Sequence, residues 1–235
     1  MKIRPIDIAR KLQISTSTLR SYEARGIVPP SKRSSNGYRI YTEEHIAYFE
    51  CIRAMAPGFG MEVTSEVLRK IQQRDVDSAL WMVNEMQASL HRDKMIAERT
   101  IEVLQSPELE DLNTSGKREW MTIGEISAET TVPSSAIRYW EKEGLINASR
   151  DQDNSYRKFN RAQVRKILLI RTLRKAVYSL ELVRLKEAIK ELDDNNVEQA
   201  ILIALDSLNY LNKINRHQLR GIHFLYSLCR MLNLL

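Results

Sequence analysis

The chain has 235 residues, of which 43% are hydrophobic and 28% charged, so it is long enough for two domains and has the composition of a folded, soluble protein. No apolar run approaches the about 20 residues of a membrane-spanning helix, and no apolar stretch follows the basic N-terminus, which argues against a secretory signal. The two cysteines, Cys51 and Cys229, are far apart in sequence, which argues against a disulfide scaffold and favours a reducing cytoplasm. Glycine and proline are few and strong helix formers abound, so helix is favoured over sheet.

Basic and acidic side chains are segregated along the chain. Residues 1–75 carry a net charge of +5, residues 76–120 of −4, residues 121–190 of +6 and residues 191–235 of −1. Two basic blocks therefore alternate with blocks that are acidic or nearly neutral. Such segregation indicates two modules that contact a polyanion, joined by parts that do not.

The two basic blocks are copies of one unit. A shift of 118 positions, which takes Ile8 to Ile126, aligns them without a gap. Chance similarity of two helical segments would preserve the apolar period but not a shared Asn-x-Tyr-Arg tail, so a duplication is favoured. The identical pairs are Ile8/Ile126, Ser17/Ser135, Arg20/Arg138, Glu23/Glu141, Gly26/Gly144, Ser31/Ser149, Asn36/Asn154, Tyr38/Tyr156 and Arg39/Arg157.

Each unit begins with the pattern of a helix-turn-helix. In the first copy, apolar residues over 6–12 have the spacing of a short one-faced helix, and Ser15 or Thr16 can cap a second helix over 18–25. Gly26 follows where a helix ends through a left-handed residue. The second copy repeats this with Ile123, Ile126 and Val132, a helix that opens at Pro133 or Ser134, and a stop at Gly144.

A small hairpin, or wing, is predicted next. Strands are expected at 27–28 and 38–41, with a polar loop over 31–37 between them. The second copy has the same order, with strands at 145–146 and 156–159. The predicted unit is therefore a winged helix-turn-helix.

These motifs resemble those of a known family. Residues 19–27 (LRSYEARGI) and 137–145 (IRYWEKEGL) are similar to the "LRYYE-x-x-GL" signature of MerR-type transcriptional regulators. Residues 36–41 (NGYRIY) and 154–159 (NSYRKF) resemble that family's wing, "GYR-x-Y". The segment after each wing, which includes 58–61 (GFGM) in the first copy, resembles the helix pair that completes the family's domain.

The resemblance covers more than half of the chain and implies a mainly α fold with two winged helix-turn-helix domains, small β-hairpin wings and long amphipathic helices. Apolar residues also predict an amphipathic helix after each module, and the C-terminal residues 219–235 are apolar enough to need burial. The expected organisation is a first MerR-like domain at 1–75, a long helix at 76–105, a linker at 106–119, a second MerR-like domain at 120–190 and a helical pairing segment at 191–235.

Double-stranded DNA is the partner that the resemblance implies. A recognition helix in the major groove needs short hydrogen-bonding side chains at its start and a cation for the phosphates beside it. The wing adds further cations and tyrosines. The candidate DNA contacts are Thr16, Ser17, Thr18, Arg20, Tyr22, Arg33, Tyr38, Arg39, Ser134, Ser135, Arg138, Tyr139, Tyr156, Arg157 and Lys158.

Some of these positions have a competing structural role. Tyr22 and Trp140 lie at the spacing of the apolar helix face, which favours a core position over a contact. Glu23 and Glu141 repel phosphate and are expected to be ion-pair or capping partners.

The two copies also differ, so we expect them to read different sequences. Ser21 replaces the first tyrosine of the family signature, and Ala136 stands where Thr18 has a hydroxyl. The wing loops differ in charge, and the second wing is expected to bind more weakly. The first has Lys32 and Arg33, and the second has Asp151 and Asp153.

Two assemblies are consistent with the pattern. MerR-type regulators form homodimers when the long helix after the domain pairs antiparallel with its twin. Here each module is followed by such a helix, so one chain can imitate that dimer by packing its two long helices together. The alternative is a homodimer through the C-terminal helices, which would hold four modules.

The resemblance implies a sequence-specific regulator that grips and distorts promoter DNA and acts on RNA polymerase there. Two alternatives remain: an architectural or recombination accessory protein of the excisionase-like type, or a second module that is degenerate and contacts protein. His217, His223 and Cys229 lie six residues apart, about 240° around a helix, so no metal site is expected. Without catalytic motifs, neither an enzyme nor a cofactor is predicted, nor a membrane partner.

Overall fold

The chain folds as two compact units, Met1–Leu90 with Lys213–Leu235, and His91–Asn212. The structure is a computed structural model that is mainly helical, with two-stranded sheets, as the sequence predicts. Within its described part, no helix is both long and apolar enough to cross a membrane. The predicted linker, apart from Ser106, lies outside the described residues, as does Asp153. The residues described are 3–106, 120–152, 154–173, 180–193 and 196–235.

The first module contains both expected helices and a two-stranded wing, whose first strand begins later than predicted. The long third helix bends at Gly60, where φ is 77°. The fourth helix is the predicted amphipathic one. The elements are α1 (Pro5–Leu12), α2 (Thr16–Ala24), β1 (Lys32–Arg33), β2 (Arg39–Ile40), α3 (Glu43–Gln72) and α4 (Val76–Gln105).

The second module repeats this order. Its last helix is continuous where the sequence indicated two apolar segments at 197–211 and 219–235. The elements are α5 (Ile123–Thr130), α6 (Ser134–Lys142), β3 (Ser149–Arg150), β4 (Arg157–Lys158), α7 (Arg161–Thr172), α8 (Leu180–Glu191) and α9 (Val197–Met231).

The duplication extends to individual tertiary hydrogen bonds. Arg53 Nη1 donates to the Leu12 carbonyl at 2.6 Å, and Arg171 Nη1 donates to the Thr130 carbonyl at 2.8 Å. Both donors and both acceptors differ by the same 118 positions. Each bond ties the C-terminal end of the module's first helix to its third helix.

The expected strands at 27–28 and 145–146 are wrong. Ile27 and Val28 lie in the turn after α2 and are 0% and 1% exposed, and Ile146 in the second module is also 1% exposed. A half-buried strand alternates buried and exposed residues, whereas these neighbours both fill the core. The wing strand starts later, at Lys32 and Ser149.

The core of the first unit is completed by the C-terminal end of the chain. Leu225, Leu228 and Cys229 of α9 are at most 1% exposed and share one core with Met55 and Phe59 of α3. The expectation that the apolar C-terminal residues need burial is confirmed for these side chains. The packing partner is the first module of the same chain.

Both long helices belong to both units. In α4, residues 76–90 are part of the first unit and residues 91–105 of the second. In α9, residues 197–212 are part of the second unit and residues 213–231 of the first. Each unit therefore contains one module and the far end of the helix that follows the other module.

Candidate nucleic-acid interface

The recognition helices α2 and α6 are each oriented by one buried side chain. Leu19 and Ile137 are both 0% exposed. Because successive helical residues lie about 100° apart around the axis, this burial turns the next residues, Arg20 and Arg138, away from the core. Both arginines are exposed. Each module therefore presents a guanidinium group at the same helical position.

The two recognition helices have different N-caps, but both end at a glycine. Ser15 Oγ accepts the Thr18 N–H at 3.0 Å, whereas α6 begins after Pro133, which has no capping side chain. At the other end, Gly26 and Gly144 have φ values of 64° and 70°, a left-handed conformation that ends the helix at little steric cost.

Hydroxyl groups gather at the start of both recognition helices, as expected. Ser15 Oγ lies 2.6 Å from Ser17 Oγ and 2.8 Å from Thr18 Oγ1, so these groups share hydrogen bonds in the first turn of α2. The unpaired backbone N–H groups of a helix start attract phosphate oxygens. The other predicted contacts of this kind, Thr16, Ser134 and Ser135, also lie in the first turn of their helices.

Exposed tyrosine side chains lie on both wings and on the recognition helix α6. Tyr38 is 75% exposed and Tyr156 is 71% exposed, both directly before the second strand of a wing. Tyr139 on α6 is 53% exposed. An exposed tyrosine beside cations offers a hydroxyl for phosphate and an apolar ring for the sugar.

Glu23 joins the recognition helix of the first module to its wing. Its Oε1 accepts the Ser31 N–H at 3.1 Å and the Ser31 hydroxyl at 2.9 Å, and its Oε2 accepts Arg39 Nε at 2.8 Å and the Tyr41 hydroxyl at 3.4 Å. Burial by itself would raise the pKa of Glu23. The hydrogen bonds from Ser31 and Arg39 lower this pKa by more than burial raises it, so the net shift is downward. Burial raises the pKa of Tyr41 to about 12, which keeps its hydroxyl a donor.

The second module keeps the ion pair and lacks part of this network. Glu141 Oε2 accepts Arg157 Nε at 2.7 Å. Phe159 takes the place of Tyr41 and has no hydroxyl to donate. The expected role of Glu23 and Glu141 as ion-pair partners is confirmed, and the first wing has the larger set of bonds to this carboxylate.

Several predicted contacts lie in partly buried positions. The side chains of Arg39 and Arg157 are 26% and 35% exposed and are held by their glutamates, which suits them to position the wing. Tyr22 is partly buried, with its ring 6.5 Å from that of Phe49. Trp140 is 7% exposed and belongs to the core. Contact of the first three with DNA stays a prediction.

The two wings pair in different registers. Arg33 is opposite Arg39 in the first wing, and Arg150 is opposite Arg157 in the second. The ungapped repeat places Asp151 against Arg33, so the loop of the second wing is one residue longer than that of the first. The residue that takes the structural place of Arg33 is Arg150.

Sequence analysis missed Arg150 for this reason. Its guanidinium donates to the Ser155 carbonyl at 3.2 Å, as that of Arg33 donates to the Gly37 carbonyl at 3.1 Å. Both cations therefore brace the carbonyl that precedes the wing tyrosine. The signal available in the sequence was the basic residue itself, but only a gapped alignment of the loops would have matched it to Arg33.

The acidic loop of the second wing engages one of its own cations. Asp151 forms an ion pair with Lys158, a predicted DNA contact. This pairing neutralises part of the charge that Lys158 could offer to phosphate. In the first wing, by contrast, Lys32 and Arg33 are both exposed.

Replacing Glu23 with glutamine is expected to destabilise the protein by about 1–2 kcal/mol at pH 7, because a charged acceptor of the Arg39 bond is lost. The lowered pKa of Glu23 means that its contribution is present above its unfolded pKa of about 4.3 and disappears as pH falls through the folded value. Urea unfolding measures the free energy of unfolding of wild type and Glu23→Gln at pH 7 and at acidic pH. The difference between the two proteins should be smaller at acidic pH than at pH 7. Glu50→Gln, at the more exposed pair with Lys11, is the control with a smaller effect. If the free energies of unfolding of wild type and Glu23→Gln changed with pH in parallel, this role of Glu23 would be contradicted.

Both modules match sequence models of one protein family. The family model for "MerR family regulatory protein" matches residues 4–41, and the model for "MerR HTH family regulatory protein" matches residues 121–188. The chain is a MerR-type protein. Its two MerR-like domains correspond to the two predicted units, each with a recognition helix and a wing.

Curated MerR-type relatives match part of the chain. The HTH-type transcriptional regulator CueR of Salmonella typhi is 38% identical over 63 residues, which cover 26% of this chain and 46% of that protein. The regulator AdhR of Bacillus subtilis is 42% identical over 48 residues, 20% of this chain and 34% of that protein. The uncharacterized regulator YyaN of Bacillus subtilis is 38% identical over 78 residues, 30% of this chain and 56% of that protein. The chain thus spans about half the length of the first and third of these relatives, and no solved structure matches it significantly.

The cysteines of this MerR-type chain lie in its core. Cys51 and Cys229 are both 0% exposed, and burial raises the pKa of both thiols. Cys51 Sγ lies 3.6 Å from the sulfur of Met55. Among the described residues, no group of three or more His, Cys, Asp or Glu side chains is arranged to hold a metal ion.

Proposed function

We propose that this MerR-type chain is a sequence-specific DNA-binding transcriptional regulator whose two modules read two different DNA sequences. The observation that carries the proposal is the repeated geometry of the modules. In both, an arginine on the outer side of the recognition helix, Arg20 or Arg138, accompanies an exposed wing tyrosine, Tyr38 or Tyr156. The partner is double-stranded DNA.

Chemical differences between the modules support different readout. The exposed position 21 is a serine in α2, and the equivalent Tyr139 in α6 is a large aromatic residue. Side chains on the outer face of a recognition helix decide which base edges are contacted. A protein with two such unequal faces suits an operator whose halves differ, whereas a symmetric dimer suits a palindrome.

Regulation by distortion of a promoter, with RNA polymerase as the affected machinery, follows from the resemblance to MerR-type regulators. A cytoplasmic location is part of the same proposal. The architectural alternative would bind many sites without promoter preference, and a degenerate second module would protect half of the operator only. Footprinting at native promoters separates these outcomes.

Salt dependence tests the proposed DNA contact itself. If about 6–10 phosphates are neutralised, the logarithm of the binding constant should fall against the logarithm of salt concentration with a slope of roughly −5 to −9. Fluorescence anisotropy titrations of a labelled duplex over a salt series measure this slope. Arg20→Ala should reduce it by about one if that arginine contacts a phosphate. A slope near zero in the wild type would contradict DNA binding through the basic modules.

A further inference from the structure

The C-terminal segment 213–235 points to an assembly state that differs from a homodimer. We infer that the protein is a monomer, because this segment covers, on the first module of its own chain, apolar surface that a second copy could otherwise cover. A single chain would then contain both DNA-binding modules together with the helices that pack against them. The inference goes beyond DNA binding and does not depend on it.

The first support is the burial of the apolar side of the segment. Leu225 and Leu228 are each 1% exposed, and Cys229 is 0% exposed. They share a core with Phe49 and Met55 of the first module. These three side chains of the predicted pairing segment are therefore removed from water within one chain, while Leu219, Tyr226 and Met231 on its other side are exposed.

The second support is the close fit between α9 and α3. A Cβ added to Gly58 would lie 2.6 Å from the Gln218 backbone nitrogen, and one added to Gly221 would lie 3.0 Å from Met55 Cα. Gln218 is 0% exposed, and its Nε2 donates to the Gly58 carbonyl at 3.0 Å. The two glycines thus allow the backbones of α3 and α9 to approach closely.

The third support is the reciprocal use of the long helices. The first unit contains residues 213–231 of α9, and the second unit contains residues 91–105 of α4. Each module is therefore accompanied by the end of the helix that follows the other module. A single chain satisfies this exchange without a second copy.

Light scattering on the 235-residue chain tests the inference directly. We expect a molar mass near 27.3 kDa at protein loadings that differ by about a hundredfold, since a dimer in exchange would gain mass with concentration. A mass near twice 27.3 kDa would overturn the inference, whether the copies pair through α9 or exchange their C-terminal segments. The result is independent of DNA, so it separates this inference from the proposed function.

A hydrogen-exchange experiment tests the role of the segment in the monomer. Gly221→Leu should raise amide exchange in both α3 and residues 213–231, because its side chain meets Met55 and Phe59. Gly124→Leu in α5 is the matched control, since the nearest atom there is Thr122 Oγ1 at 3.9 Å. Unchanged exchange of α3 in Gly221→Leu would show that the segment does not complete the first module.

Discussion

Replacing Arg20 with alanine is expected to weaken DNA binding by about 10- to 100-fold, which corresponds to the loss of a charged hydrogen bond worth about 1.5–3 kcal/mol. Arg20 lies on the outer side of α2 directly after the buried Leu19, so the truncation removes a guanidinium without opening the core. Anisotropy titrations at fixed salt on the preferred duplex measure the loss, and thermal unfolding checks that the fold is intact.

Arg138→Ala should cost less than Arg20→Ala. The first wing exposes Lys32 and Arg33, whereas Lys158 of the second wing is paired with Asp151. We therefore expect the first module to dissociate from DNA more slowly than the second. The contact made by Arg20 is then present in a larger fraction of the protein–DNA complexes than the contact made by Arg138. Equal losses from the two substitutions would contradict this ranking.

Removal of an arginine outside the modules provides the control for net charge. Arg99 on α4 is exposed and pairs with Glu102 at 2.8 Å. Arg99→Ala changes the net charge by the same amount as the two test substitutions. Its binding constant should stay close to that of the wild type.

Replacing Gly58 with alanine is expected to lower the free energy of unfolding by about 1–3 kcal/mol, the usual cost of forcing an atom into a packed core. The new methyl group would lie 2.6 Å from the Gln218 nitrogen and 2.8 Å from the His217 carbonyl carbon. These are backbone atoms, so α9 must shift away from α3. The Gln218 hydrogen bond to the residue 58 carbonyl would lengthen with it. Urea unfolding measures the change.

Gly124→Ala is the control for Gly58→Ala, because it adds the same methyl group to a helix without a steric clash. A helical glycine is about 1 kcal/mol less favourable than alanine, and only Thr122 Oγ1 lies near Gly124, at 3.9 Å. Gly124→Ala should therefore be neutral or slightly stabilising. A Gly58→Ala protein that is as stable as Gly124→Ala would contradict the close crossing of α3 and α9.

Local signals in the sequence were sufficient for the recognition helices. Ser15, a cap residue, and Gly26, a left-handed stop, bound α2 to within a residue or two of the expected span. The apolar spacing placed Leu19 in the core, which fixes the outward direction of Arg20. These features depend on neighbours within one or two helical turns, which is the range that a sequence pattern describes.

The wing was harder to predict because its pairing depends on turn geometry. A two-residue strand has too few side chains to specify a register by alternation, so the extra loop residue that brings Arg150 opposite Arg157 left no periodic signal. The apolar pair Ile27 and Val28 resembled a strand by composition. Its burial in a turn is decided by the core beneath it.

The packing of the C-terminal segment could not be obtained from local patterns at all. Gln218 and Gly58, which share a hydrogen bond, are 160 residues apart in sequence. Apolar spacing predicted that the segment is buried, but a dimer partner and the first module of the same chain are equivalent ways to bury it. The fit of the segment against α3 depends on shape, in particular on the absence of a side chain at Gly58 and Gly221.

Selection of bound duplexes from a random DNA library reports which sequences the two modules read together. We expect a non-palindromic site with two different parts, one of which loses its sequence preference in Arg20→Ala and the other in Arg138→Ala. A palindromic site, or a single part that responds to only one of the two substitutions, would contradict two unequal DNA-reading modules in one chain.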